Sequence, residues 1–170
     1  GRPMEPKDLA AFFDERFQPD GVIGANAQYV VFGDRILRRE YMEHGLKTRL
    51  MAFAQQRRYC LTCTWQGTWY ISEPEYLQCV LGRKIDDMPW AKKEEFRTLL
   101  DKDVYSFFMH APEEALTDTE QHFPEIEILR MGSELGGGDI VPRGISKSSG
   151  MKLIAAYLDC PIADTVAIGD

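Results

Sequence analysis

Lys147 stands among serines in the run Gly144-Ile145-Ser146-Lys147-Ser148-Ser149-Gly150, directly ahead of a stretch whose apolar spacing predicts a helix over Ser148–Leu158. A lysine at a helix start is electrostatically misplaced, because the helix dipole already puts about half a positive charge there. Cation, flanking hydroxyls and backbone N–H groups without intrahelical acceptors together suit a phosphate. Past that helix, Thr165–Ile168 reads as a buried strand, and Asp170 falls where a parallel strand delivers a functional side chain. An oxyanion held by a lysine, beside a carboxylate able to bind a hard cation, is the chemistry these residue types offer.

The elements that must position them belong to a chain of 170 residues with 44% hydrophobic and 28% charged residues, the balance of an ordinary globular domain or a small domain with an insertion. A net charge of −7 argues against a nucleic-acid partner, which needs a basic face, and makes any anion site depend on local cations. No apolar run is long enough for a membrane span and no signal-peptide region opens the chain, so a cytoplasmic location is expected. Cys60 and Cys63 have a C-x-x-C spacing, but strand residues three apart point to opposite faces, and no second ligand pair completes a zinc set. Cys60, Cys63, Cys79 and Cys160 therefore read as small buried side chains, and His44, His110 and His122 as scattered surface or core residues.

Periodicity predicts a helix over Met4–Phe17, a strand over Gly21–Ala25, and a hairpin of Gln28–Phe32 with Arg35–Arg39 across Gly33-Asp34. A helix over Glu43–Arg58 presents Leu46, Leu50, Phe53 and Ala54. A second hairpin joins Cys60–Trp65 to Thr68–Ser72 at Gln66-Gly67, and a helix over Pro74–Leu81 ends at Gly82. Strands are expected over Val104–His110, Ile126–Met131 and Asp139–Val141, with a helix over Pro112–His122; Arg83–Asp103 gives no reading. Gly136-Gly137-Gly138 reads as a solvent-exposed turn. Trp65 and Trp69 fit either a sugar-binding face or sheet packing. The two ends of the chain look like α/β layers with buried parallel strands and the middle like an α+β insertion.

Gly144-Ile-Ser-Lys147 before a helix, then Val166-Ala-Ile-Gly169-Asp170, resembles the third and fourth motifs of the haloacid dehalogenase superfamily. Gly1-Arg2-Pro3 resembles the tail of its second motif, and Val22-Ile-Gly-Ala-Asn26-Ala-Gln28 the Asn-Gly strand turn of the Cof-type phosphatases. The resemblance implies an α/β fold: a partial Rossmann-like core at 1–41 and 142–170, with a large inserted α+β cap at 42–141. It implies a Mg²⁺-dependent phosphatase acting on small phosphorylated metabolites, sugar phosphates among them, through an aspartyl-phosphate; a phosphomutase or a non-catalytic binding module are its alternatives. Lys147 would then bind phosphate as a catalytic residue, Asn26 and Arg2 would serve the substrate site, and Asp170 would bind the metal. Ala27 stands where the family has Gly, which argues against a positive φ there, and Ser148 replaces a second Gly. The nucleophile motif is expected outside these 170 residues, as in a fragment, which alone would hydrolyse nothing by this route.

Overall fold

The structure, a computed structural model, describes residues 19–76, 82, 91–92, 95–132 and 136–166. The helix expected over Met4–Phe17 lies outside them. The chain divides into two compact units, Gly1–Glu40 with Gly144–Asp170, and Tyr41–Arg143.

In the first unit, β1 (Gly21–Gly24), β2 (Tyr29–Phe32) and β3 (Arg35–Arg39) form an antiparallel sheet in that order. The Gly33-Asp34 hairpin appears as expected, with Gly33 at φ 54°, the left-handed value its tight turn needs. The parallel strands expected here do not appear among the described residues: β1 pairs only with β2, antiparallel, and is half-buried. A chain that doubles straight back through a short turn can pair only antiparallel. The helix Lys147–Tyr157 lies against this sheet, and Ala27, Val30 and Ile145 form the buried centre with Ile23, Leu37, Leu153 and Ile154 around them. The far end of the helix is pinned where Tyr157 meets the Phe32 ring at 5.8 Å and the Arg35 guanidinium at 5.4 Å. Thr165 and Val166 are not in a strand, and Val166 is 85% exposed; a single 3-10 turn, Ile162–Asp164, precedes them. Residues 167–168 of the expected strand lie outside the described part. Cys160 is only half-buried, unlike the expectation for it.

In the second unit, α1 (His44–Arg57) is followed by β4 (Cys60–Trp65), β5 (Thr68–Ile71), the short β6 (Ala91–Lys92) and a 3-10 helix, Phe96–Asp101. Then come β7 (Phe107–His110), α2 (Glu113–His122), β8 (Ile126–Arg130) and β9 (Gly138–Pro142). The sheet order is β6-β5-β4-β7-β9-β8, antiparallel apart from the β5–β6 pair. Alternation along each strand sends Leu61, Cys63, Phe107, Met109, Ile126, Ile128 and Ile140 to one core, where Leu46, Leu50, Phe53 and Leu116 of the helices meet them. The expected stripe of α1 is therefore the buried one. Lys47 is buried with it, 4% exposed, and its ammonium donates to the carbonyls of Leu99 and Lys102, closing the 3-10 helix. Burial pulls its pKa down, against the opposing pull of Asp103 and Asp101.

Several expectations change here. Gly137 and Gly138 are buried, so the triple glycine is no exposed turn. A Cβ at Gly137 would lie 2.5 Å from the Met109 carbonyl oxygen, and one at Gly138 would lie 2.6 Å from Ile128 Cγ2. The glycines are there because β9 threads tightly between β7 and β8. Trp65 packs on the helix-side core with the Lys102 ammonium 5.2 Å from its ring centre, whereas Trp69 alternates with the buried Tyr70. The two indoles thus belong to opposite faces of the sheet and line no common sugar face. Of the helix expected over Pro74–Leu81, residues 74–76 are helical and 77–81 lie outside the described part. Cys79 lies outside it too.

Cys60 and Cys63 are buried free thiols, and burial raises them to about 11 and about 12, so both are inert at neutral pH. His44 meets the Leu100 carbonyl, His122 stacks on Phe53 at 4.7 Å, and His110 bonds Thr62 Oγ1 at 3.1 Å. Burial pushes the His110 pKa down to about 4. The unfolded chain therefore takes up that proton first, and stability is lost as pH falls from about 6.5 toward 4. We expect the protein to lose about 3 kcal/mol over that window through this site, a slope that His110→Gln should flatten in denaturant titrations.

Candidate functional site

The helix α3 (Lys147–Tyr157) begins at the lysine itself, one residue earlier than periodicity predicts. Ser146 is its N-cap. Its Oγ accepts from the Ser149 N–H at 3.2 Å, and Ser149 Oγ accepts from the Ser146 N–H at 3.0 Å, a reciprocal capping box. The Gly150 N–H goes to the Ser146 carbonyl at 3.0 Å. This leaves the N–H groups of Lys147 and Ser148 without an acceptor among the described residues. Lys147 and Ser148 are both exposed, and neither side chain forms a hydrogen bond or ion pair among those residues. One ammonium, one hydroxyl and two N–H groups are thus presented together at the positive end of a helix.

Ser149 does not join them, contrary to what its place in the run suggests. Its Oγ also donates to the Ser146 carbonyl at 2.8 Å and accepts from Arg38 Nη1 at 3.0 Å, so it is fully used inside the protein. Side-chain caps and anion ligands draw on the same residue types, and sequence alone does not sort them.

Asn26 lies at φ 55°, ψ 31°, between Ala25 at φ 48° and Ala27 at φ 74°. Three consecutive left-handed residues close a turn through a Gln28 N–H to Ala25 carbonyl bond of 3.0 Å. Ala27 therefore takes the positive φ that its side chain argued against. Left-handed backbone costs an L-residue about 1–2 kcal/mol, so the surroundings must hold the turn. They do so on three sides. Ala27 is fully buried against α3, the Gln28 amide donates to the Glu40 carbonyl at 3.1 Å, and Arg38 Nη1 donates to the Ala27 carbonyl at 3.2 Å. Against α3 the turn meets Gly150, where a Cβ would lie only 2.8 Å from Ala27 Cβ.

The structure therefore brings the Asn26 turn and the Lys147 helix together within one unit. Arg2 and Asp170 lie outside the described residues. Among those described, no group of three or more His, Cys, Asp or Glu side chains converges on a point that could hold a metal. By themselves the described residues therefore supply no Mg²⁺ site. No helix among them is long and apolar enough to cross a membrane. Arg38 is the participant that sequence reasoning missed. In the sequence it looks like one more charge in the run Arg35-Ile36-Leu37-Arg38-Arg39, and nothing there sets it apart from its neighbours.

The chain is 28% identical over 156 residues to "Putative phosphatase YkrA" of Bacillus subtilis (strain 168), an alignment covering 87% of this chain and 56% of that protein. It superposes with a TM-score of 0.72 and 16% identity on BT1666 of Bacteroides thetaiotaomicron, described as a phosphatase of the haloalkanoate (HAD) superfamily, covering 92% of this chain and 57% of that one. With the HAD subclass IIB sugar phosphatase BT4131 the TM-score is 0.64 at 17% identity, over 84% of this chain and 54% of that one. The chain thus spans little more than half the length of these relatives, and at such identities the superpositions speak for the fold. The profile of the haloacid dehalogenase-like hydrolases matches residues 1–170, from end to end, and the chain belongs to that family.

Proposed function

We propose that this chain is part of a phosphatase that hydrolyses small phosphorylated metabolites, sugar phosphates foremost. The observation that carries it is Lys147: an exposed, unpaired ammonium at the first position of a helix, beside two N–H groups and a hydroxyl that nothing in the described protein uses. In this reading Lys147 holds the phosphoryl oxygens, where charge stabilisation lowers the barrier most. Asn26, held left-handed beside the helix, touches the substrate; Arg2 supports it, and the Tyr41–Arg143 unit is the cap that governs access. The phosphoryl-accepting aspartate lies outside this chain. Mg²⁺, bound through Asp170, would neutralise charge on the phosphoryl group. The names of BT4131 and YkrA support the phosphatase class, and the former supports sugar phosphates.

The test is phosphate release by the full-length protein from a panel of hexose, pentose and nucleoside monophosphates. Turnover of several sugar phosphates, abolished by EDTA and restored by Mg²⁺, is the expected result. Asp170→Asn should lower turnover by about a hundredfold and raise the Mg²⁺ concentration needed for half-activity. Release from no monoester at any Mg²⁺ concentration would remove the proposal. Intramolecular transfer of phosphate without release would replace it with a phosphomutase.

A further inference from the structure

Arg38 joins the two parts of the candidate site, and β3 is distorted in a way that lets it. The register steps from Val30 opposite Arg38 to Val31 opposite Ile36, so Leu37 is an extra residue in β3. In a regular strand Leu37 and Arg38 would point to opposite faces. Here Leu37 packs on the core of Ala27, Val30 and Ile145, while its neighbour Arg38 reaches the Ala27 carbonyl and Ser149 Oγ. Re-aiming a side chain is what a bulge does.

The two acceptors are informative. The Ala27 carbonyl belongs to the strained turn that carries Asn26, and Ser149 Oγ belongs to the capping box that shapes the Lys147 end of α3. That box is already complete between Ser146 and Ser149, so Arg38 is not needed to cap the helix. What its Nη1 adds is a bridge of charge-assisted hydrogen bonds between the turn and the helix, made by a residue 11 positions from Ala27 and 111 from Ser149 in the chain.

We propose that Arg38 is a positioning residue: by binding the Ala27 carbonyl and Ser149 Oγ at once, it fixes the Asn26 turn against the first turn of the Lys147 helix and so sets the phosphate-binding geometry. The catalytic consequence rests on the phosphatase reading above; the geometric one does not. Arg38 itself need not touch substrate. A guanidinium shared between two protein acceptors is a strut, and small displacements of positioned groups are costly in turnover.

The experiment compares Arg38→Met and Arg38→Lys in the full-length protein, with two readouts. One is the exchange rate of the Gln28 amide hydrogen, whose bond to the Ala25 carbonyl closes the turn. The other is kcat and KM for p-nitrophenyl phosphate. Arg38→Met should speed Gln28 exchange about tenfold, as expected when charge-assisted bonds are lost, with exchange in β4 and β7 unchanged. It should also lower kcat by about a hundredfold, with a smaller change in KM. Arg38→Lys can still donate to both acceptors and should stay within about threefold of wild type. Wild-type kcat and wild-type Gln28 exchange in Arg38→Met would overturn the inference. Wild-type kcat there would also overturn it wherever Lys147→Ala is inactive. If instead Lys147→Ala keeps full turnover, or no monoester is hydrolysed, the phosphatase reading fails by itself, and Gln28 exchange alone decides the role of Arg38. Should Arg38→Met not fold, Ser149→Ala removes one of the two acceptors. Slower turnover and faster Gln28 exchange would then sustain the inference, and no change in either would end it.

Discussion

Lys147→Ala in the full-length protein should lower kcat for phosphate-monoester hydrolysis by about 10²–10³-fold, while leaving the fold as stable as before or slightly more so. The two halves of that expectation have one cause. Lys147 is exposed at the first position of α3, with no partner among the described residues, so its removal costs no packing and no hydrogen bond. Its charge opposes the helix dipole, and alanine is the better helix former, which together favour the variant by about 0.5 kcal/mol. A structural lysine would behave the other way, losing stability and keeping turnover. Lys147→Arg keeps the charge but replaces a compact ammonium with a wider planar fork, and should recover only part of the rate. The measurement is kcat beside a chemical denaturation curve for each variant. Turnover within twofold of wild type in Lys147→Ala would take this residue out of the mechanism.

Much of the fold was legible because hydrophobic period and turn chemistry pointed the same way. The stripe Leu46, Leu50, Phe53 and Ala54 is buried as its helical spacing predicts, and the Gln66-Gly67 turn, with both residues at positive φ, joins β4 to β5. Arg83–Asp103 gave no reading because its elements there are too short for a period to show: among the described residues, a two-residue strand and a six-residue 3-10 helix. The triple glycine misled because sequence cannot distinguish glycine needed for a turn from glycine needed for close approach, and Gly137 and Gly138 are of the second kind. In the candidate site, the place of Lys147 at the start of a helix is legible from the apolar spacing that follows it. Ser149 was misjudged, and Arg38 was missed, because both are defined by partners far away in the chain. Ala27 was misread for a related reason. Its own preference is against a positive φ, but tertiary packing against α3 and the bond from Arg38 outweigh a strain of about 1–2 kcal/mol.

That packing makes Gly150 a sensitive position, although a glycine inside a helix ordinarily improves when replaced. Alanine gains about 1 kcal/mol over glycine in a helix interior, by propensity alone. At Gly150, however, the new Cβ would lie 2.7 Å from Ile23 Cγ2, 2.8 Å from Ala27 Cβ and 3.3 Å from Ile23 Cδ1. Neither neighbour can yield easily. Ile23 Cγ2 hangs directly from the branched carbon of a strand residue, and Ala27 Cβ is fixed to the backbone of the left-handed turn. Forcing a methyl group into such a contact costs about 1–3 kcal/mol, which outweighs the propensity gain, so Gly150→Ala should destabilise the protein by about 1–2 kcal/mol. The strain should also push the start of α3 away from the Asn26 turn and reduce kcat. Ala27→Gly removes one of the clashing groups and relieves the positive φ at the same position. The double variant should therefore be more stable than Gly150→Ala alone, with a coupling energy of about 1 kcal/mol in a double-mutant cycle. Ile23 still crowds the site, so the rescue should be partial. A Gly150→Ala protein more stable than wild type would mean that propensity wins, that α3 and the turn are not in tight contact, and that Arg38 bridges a gap rather than a packed joint.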